Sequence, residues 1–400
     1  MKIRKDLDLI TPSLTLVLKS KVDEMRKQGI DVVSFTVGEP DFHTPSVIKK
    51  EGIKAIEENF TKYTDGAGIP ELRKAIVEKF RKENGIEYLP ENIVVGHGGK
   101  QVISSAIQAL TDPGDEIIIP TPYWLSYPAM AILANVRPVF IETKAENDYR
   151  VTPEDLKKAI TPKTSLLILN SPSNPTGGVY HKEHLEALLP VIQESKIAVI
   201  SDEIYEKLLY DGLSFVSMGQ YPQIKDQLVV VNGVSKSFAM TGWRIGYAAA
   251  NAKIAKAMTK IESHLTGNAC SISQKAACKA ILNNLEDQTE LKRMQDAFAR
   301  RRDLGYKLLS EIPGLTCRLP QGAFYLFPDA SSFYGKSYGN KAIQNSKDLC
   351  EYLLEICHVS VVPGLDFGND RCFRISFATS EEEIQKGMQR IKEGLARLEI

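Results

Sequence analysis

An α/β fold, with a mostly parallel sheet covered by helices and a smaller α+β domain after it, is predicted by three features of this 400-residue chain. Short apolar, β-branched runs alternate with amphipathic helical stretches, as they do where a sheet is buried on both faces. Glycine- and proline-rich loops close the runs. Beyond roughly residue 290 the alternation gives way to a long charged helix and further strands.

In chain order, Pro12 and Ser13 open a helical pattern that stops at Gly29. Residues 31–35 read as a short strand and residues 37–42 as a turn-rich break. Pro70 starts a helix with Leu72, Ile76, Val77 and Phe80 on one face. Strands are expected at residues 93–96, 116–119, 136–141, 165–170, 198–202 and 227–232. Thr152, Pro153, Glu154 and Asp155 make a helix start with a cap, a first-position proline and an acidic first turn. A helix over residues 289–312 opens the last part, strands follow at 323–328, 359–363 and 372–378, and residues 331–345 read as a surface loop. Ser380 to Glu383 is a capping box before the final helix.

Bulk properties exclude several functions. Hydrophobic content of 43% and charged content of 25% are those of an ordinary soluble globular chain. Net charge is +0 without a long run of either sign, so nothing favours nucleic acid or an anionic membrane as partner. The six cysteines lie between Cys270 and Cys372 with no C-x-x-C pair and read as free thiols in a reducing cytoplasm. The N-terminus lacks the apolar core of a signal peptide, and no run is long enough to span a bilayer. A cytoplasmic protein is expected.

The most informative segment runs from Ser235 to Gly246. It sets Lys236 between Ser235 and Ser237, just past a strand end, where α/β proteins place ligands. A lysine there forms a Schiff base with a carbonyl, and the hydroxyls with Arg244 suit a phosphate. Those are the needs of pyridoxal 5'-phosphate. Asp202 ends another apolar strand, and a buried carboxylate needs a positive partner. Two prolines and two glycines shape the loop that carries Asn174. Gly98 and Gly99 let backbone amides approach an anion at a helix start. Arg374 sits among apolar residues in an alternating strand, where only an anion repays its burial.

Other readings fail. A Walker A loop ending in Gly99-Lys100 needs glycine at Val94 and Ser or Thr at Gln101, and the dinucleotide fingerprint needs a glycine at Gln101. The hydrolase elbow G-x-S-x-G is broken by Ser237. His181 and His184 lack a metal-ligand pattern and read as a solvated helix face, His97 reads as structural, and no metal site is expected.

Six segments, around Gly38, Tyr63, Gly98, Asn174, Lys236 and Arg374, follow the order found in class I aminotransferases of fold-type I, which the chain resembles over nearly its whole length. The Thr-Gly-Trp-Arg string at Thr241 most resembles the bacterial aspartate aminotransferase subgroup. The resemblance implies an N-terminal segment (1–45) joining the small domain, a large cofactor-binding domain (46–290) and a small C-terminal domain (291–400). It implies that Lys236 holds pyridoxal 5'-phosphate, that Asp202 pairs with the ring nitrogen, and that Tyr205 and Asn174 bond the ring's phenolic oxygen. Trp124 would stack on the ring. Gly98, Gly99, Lys100, Ser235 and Arg244 would surround the cofactor, and Tyr63 would reach the phosphate of a neighbouring subunit, making the active unit a homodimer with shared sites. Arg374, with backbone near Gly38, would grip the substrate α-carboxylate and Lys100 the distal one.

The function so implied is transfer of the amino group of L-aspartate to 2-oxoglutarate by ping-pong kinetics. Members that accept prephenate carry a basic residue where this chain has Thr11, which argues against that substrate. Broad-specificity or aromatic transamination and β-lyase chemistry are the alternatives within the cofactor class. A non-catalytic regulator that binds the cofactor is disfavoured, because no basic N-terminal extension houses a DNA-binding domain.

Overall fold

The computed structural model describes residues 3–10 and 14–399; Thr11, Pro12 and Ser13, on which the prephenate argument and the first helix start rest, lie outside them. Its centre is a seven-stranded sheet in the order Ile93–Gly96, Gly246–Ala250, Leu228–Gly233, Ala198–Asp202, Thr164–Asn170, Glu116–Thr121, Arg137–Glu142. All neighbours pair in parallel except Gly246–Ala250, which is antiparallel to both of its partners.

Alternation explains the layering. Ile117, Ile119, Leu166, Ile168, Val229 and Val231 belong to one buried apolar cluster, whereas Ile118, Leu167, Leu169 and Val230 belong to the cluster on the opposite face. Successive strand residues point to opposite faces, so an unbroken apolar run requires helices on both. One face carries Ser46–Glu57 and Pro70–Lys79 against Ser271–Glu286; the other carries Gly99–Leu110 against Ala252–Leu265. Thr152 caps its helix as expected, its hydroxyl accepting from the Asp155 N–H, and Ser380 does the same for the Glu383 N–H.

A separate apolar cluster joins Val33 and Phe35 to Phe324, Phe373, Ile375 and the inner face of Glu381–Leu395. Val33–Ser34 pairs in parallel with Val359–Ser360, while Phe373–Ser376 lies between Val362–Pro363 and Tyr325–Leu326 in an antiparallel three-stranded sheet. The N-terminal segment therefore packs with the C-terminal part of the chain.

Several expectations need correction. Gly246–Ala250 was not expected as a strand, because a run of glycine, tyrosine and alanine carries little β-branched signal. The run at 359–363 is two strands in two sheets. Residues 331–345 are more ordered than a surface loop: Phe333 and Ile343 are buried, and Ser337–Tyr338 pairs with Lys341–Ala342. On Pro70–Lys79 the buried face is Leu72, Ala75, Ile76 and Lys79; Val77 is only half-buried.

Lys79 is buried because acids meet it. Its ammonium pairs with Glu206 and donates to Asn84 Oδ1 at 2.7 Å, and Glu206 also accepts from Asn84 Nδ2 at 2.9 Å. Burial pushes the Glu206 carboxyl up, but Lys79 and Lys207 outweigh it and hold the group below the ordinary carboxylate range. Replacing one partner of such a pair leaves the other charge buried and unpaired. Lys79→Met is therefore expected to cost about 3–5 kcal/mol, read as a lower urea midpoint for unfolding; an unchanged midpoint would show that the pair holds nothing.

Candidate active site

The C-terminal ends of the parallel strands converge on one edge of the sheet, the usual ligand edge of such folds. A cleft of about 480 Å³ opens there, lined from the large sheet by Lys236, Asp202 and Asn174 and from the C-terminal unit by Tyr325 and Arg374. The extended segment at residues 36–38 closes it from a third side.

Lys236 leaves strand Leu228–Gly233 through a tight turn in which Ala239 and Arg244 take left-handed backbone angles, φ 49° and 56°. Its Nζ donates to the Gly38 carbonyl and faces the rings of Tyr205 and Phe324 at 5.7 and 5.9 Å. Burial brings its pKa down to about 8; Arg374 and Arg244 push the same way, against Glu39 and Asp202. A lysine in this range is a competent nucleophile and base near neutral pH. Of the two flanking hydroxyls only Ser235 lines the cleft. Ser237 is buried on the other side, near Asn284, so the expectation that both face a phosphate is corrected.

Asp202, 4% exposed, accepts from the Tyr127 hydroxyl at 2.7 Å and the Ile204 N–H at 3.3 Å. Among the described residues it has no ion-pair partner within 4.0 Å. Burial raises its carboxyl to about 6, opposed by Tyr127, Ile204 and the Lys236 charge. A cation brought against it would return it to the carboxylate range. Tyr205 is buried with its hydroxyl 2.7 Å from that of Tyr325.

Arg374 is 2% exposed, yet no carboxylate meets it among the described residues. Its Nη1 donates to Asn174 Oδ1 at 2.9 Å and its Nη2 to the Thr36 carbonyl at 2.8 Å, while its Nε has no partner among the described residues. The rings of Tyr325 and Phe367 lie 4.5 and 4.9 Å from the guanidinium. Such a group is costly to bury unless an anion completes it. Asn174 Oδ1 is thus engaged by Arg374, and its side-chain NH2 is the part that remains for another acceptor among the described residues.

The anion cradle is built at the start of helix Gly99–Leu110. Gly98 caps it with φ +81°, and a Cβ there would lie 2.3 Å from Arg244 Nη2, so only glycine admits the guanidinium. Arg244 donates to the carbonyls of Thr241 at 2.9 Å and His97 at 3.2 Å. Lys100 follows in the first turn, 5.2 Å from the Trp124 ring; burial, then Arg244, lowers its pKa. Trp124 lines the cleft edge-on to Tyr127.

These groups fit pyridoxal 5'-phosphate: a depressed amine, a buried acid without a cation, an aromatic wall, and helix amides with an arginine that Gly98 leaves room for. Tyr63, like Ser237, is not brought to the cleft, and Gly98 stands behind it next to the lining residue Gly99. Tyr63 is 93% exposed and does not line the cleft. Sequence reading missed Tyr127, Tyr325, Thr36, Glu39 and Lys19, which all line the cleft or hold a residue that does. Tyr127 follows Trp124 at helical spacing, which was a usable signal. Nothing marked Thr36, which acts through its backbone carbonyl.

The family model for aminotransferase class I and II matches residues 30–391. The chain is 46% identical over 383 residues to an aspartate aminotransferase of Bacillus sp. strain YM-2, covering 96% of each. It is 45% identical to a probable aspartate/prephenate aminotransferase of Rickettsia bellii, covering 99% of each. Its fold matches the crystal structure of the aspartate aminotransferase from Rhizobium meliloti with a TM-score of 0.95 at 42% identity, covering both chains completely.

The depressed Lys236 yields a direct measurement. In the cofactor-free protein, acylation of the Lys236 peptide followed by mass spectrometry is expected to reach half its maximum near pH 8. Labelling that begins only at the pH where ordinary lysines lose their proton, about 10.4, would contradict it.

Proposed function

The chain belongs to the class I and II aminotransferases, and from that premise we propose that its cleft moves the amino group of L-aspartate to 2-oxoglutarate, giving oxaloacetate and L-glutamate. The observation that carries the choice of substrate is a pair of cations with no acid paired to them among the described residues, Arg374 in the floor and Lys100 at the helix start, on one cleft with Lys236. A dicarboxylate satisfies both.

Pyridoxal 5'-phosphate is the cofactor; when bound it supplies an electron sink and carries the amino group between the two substrates. The helix start at Gly98, Gly99 and Lys100, with Ser235 and Arg244, would hold its phosphate. Asp202 would keep a proton on the ring nitrogen, and Tyr205 and the Asn174 amide would bond the phenolic oxygen. Arg374 orients the α-carboxylate in a bidentate grip, and Lys100 takes the distal carboxylate. Lys236, its pKa lowered to about 8, would take the substrate Cα proton and deliver it to C4′ of the cofactor, and would make the same transfer in reverse for the oxo acid. Trp124 keeps water from the reacting face.

The proposed division of the chain is 1–45 with 291–400 around 46–290, supported by the packing of Val33 and Phe35 with Phe324 and Ile375. We also propose a homodimer, supported by the nearly full exposure of Tyr63, and a cytoplasmic location, supported by six unpaired cysteines. No helix among the described residues is long and apolar enough to cross a membrane. The name of the Rickettsia relative favours a second substrate, prephenate; Thr11 weighs against it.

Adding L-aspartate without an oxo acid is expected to convert the absorption of the bound cofactor from its yellow form to its amine form, and Lys236→Ala is expected to lower kcat at least about 10²-fold. A yellow protein that ignores aspartate but responds to another amino acid would remove Lys100 from its role, and a Lys236→Ala enzyme of normal rate would sink the mechanism. Mixing subunits tests the shared site. Hybrids of Lys236→Ala with Tyr63→Ala have one intact site if Tyr63 acts across the dimer, so the mixture should outpace the sum of its parents. Simple additivity would argue that Tyr63 serves no neighbour.

A further inference from the structure

Behind the anion cradle lies a chain of hydrogen bonds that the proposed mechanism does not use. Glu262, on helix Ala252–Leu265, is 1% exposed and has no cationic ion-pair partner within 4.0 Å among the described residues. Its carboxylate accepts from Ser105 Oγ at 2.8 Å, from Gln101 Nε2, and from Thr266 Oγ1 at 3.4 Å. Gln101 in turn accepts from the His97 N–H at 2.7 Å through Oε1. The His97 carbonyl accepts from Arg244 Nη2 at 3.2 Å, and its ring Nε2 donates to the Asn268 carbonyl at 3.0 Å.

The polarity of this chain is fixed. A backbone N–H only donates, so Gln101 must turn its oxygen toward His97 and its NH2 toward Glu262. Only an acceptor can stand there, and a buried carboxylate is one. Reversing the Gln101 amide would set donor against donor at His97 and acceptor against acceptor at Glu262. Space is fixed as well: a Cβ on Gly96 would lie 2.4 Å from Gln101 Oε1 and 3.1 Å from Glu262 Oε1, so the strand end is open to the relay because it is glycine. At the far end Asn268 Oδ1 accepts from the Thr64 N–H at 3.3 Å, next to Tyr63. Glu262, Gln101 and His97 do not line the cleft.

We infer that Glu262, Gln101 and His97 are positioning residues that fix Arg244 and the Gly98 turn for the phosphate of the cofactor. The inference rests on the proposed cofactor site and concerns phosphate recognition alone. Its consequence is selectivity: the relay strengthens binding of pyridoxal 5'-phosphate relative to pyridoxal, which has the same ring and carbonyl without the phosphate.

The test is equilibrium titration of the full chain, freed of cofactor, with each of the two compounds. Gln101→Met keeps the length of the side chain and cuts the relay on both sides. It is expected to weaken pyridoxal 5'-phosphate at least about tenfold, the loss of one or two hydrogen bonds to a charged site, and to leave pyridoxal unchanged. Ser105→Ala removes a bond to the same buried carboxylate but leaves Gln101 in place, so it should lower the thermal midpoint without changing the ratio of the two affinities. An unaltered ratio in Gln101→Met, or the same change in Ser105→Ala, would overturn the inference. A wild-type chain that binds both compounds equally would instead overturn the phosphate site on which it rests.

Discussion

Two backbone carbonyls of one extended segment hold the site together. Thr36 accepts from Arg374 and Gly38 from Lys236. Arg374 belongs to the small antiparallel sheet and Lys236 to the loop after a strand of the large one. Residues 36–38 thus bridge two units with separate apolar cores. Backbone carbonyls suit the task, since they attract a cation without neutralising it as a carboxylate would. Arg374 thus keeps its charge available for an arriving anion, while Lys236, lowered to about 8 by burial, stays able to release its proton. Gly38 admits this arrangement because a side chain there would meet the Tyr325 hydroxyl at 2.9 Å.

Electrostatically the cleft is unfinished in a definite way. Burial works against the charged forms of Lys236, Asp202, Lys100 and Arg374 alike. Among the described residues neither Arg374 nor Asp202 has an ion-pair partner within 4.0 Å; hydrogen bonds hold both, and the more distant Lys236 charge helps Asp202. The protein has spent folding energy to keep these groups apart, and a ligand carrying both signs recovers it. On the proposed function that ligand is cofactor and substrate together, with an anionic tail for the helix start, a cationic ring atom for Asp202 and a carboxylate for Arg374.

What could be read from the sequence follows from how local each signal is. Asp202, Asn174 and Lys236 stand at the ends of apolar runs, and a strand end is a local event. The Gly98 turn was readable because glycine pairs mark tight backbone. Tyr325 and Thr36 were not, since their significance is created by partners distant in sequence. Nothing in the local sequence marks Lys79 for burial; its partner Glu206, over a hundred positions later, meets it in the core. Strand Gly246–Ala250 was hidden because its mostly small residues pack closely rather than carry bulk, and a Cβ on Gly246 would lie 2.4 Å from the Gly99 nitrogen. Ser237 looked equivalent to Ser235, but the two serines that flank Lys236 face different sides of the segment, Ser235 the cleft and Ser237 the region near Asn284.

The pairing of Val33–Ser34 with Val359–Ser360 has a consequence for the order of assembly during synthesis. The large sheet has all its strands once residue 250 has left the ribosome, and domains fold as units as they emerge. The segment with Thr36 and Gly38 has no strand partner until nearly nine-tenths of the chain exists. It must wait, tethered and unpaired, while the rest folds around its place, because a contact so distant in sequence carries the largest loop-closure cost. The cleft is thereby the last thing the chain makes, and a truncated product would carry its reactive lysine in an open, unassembled pocket.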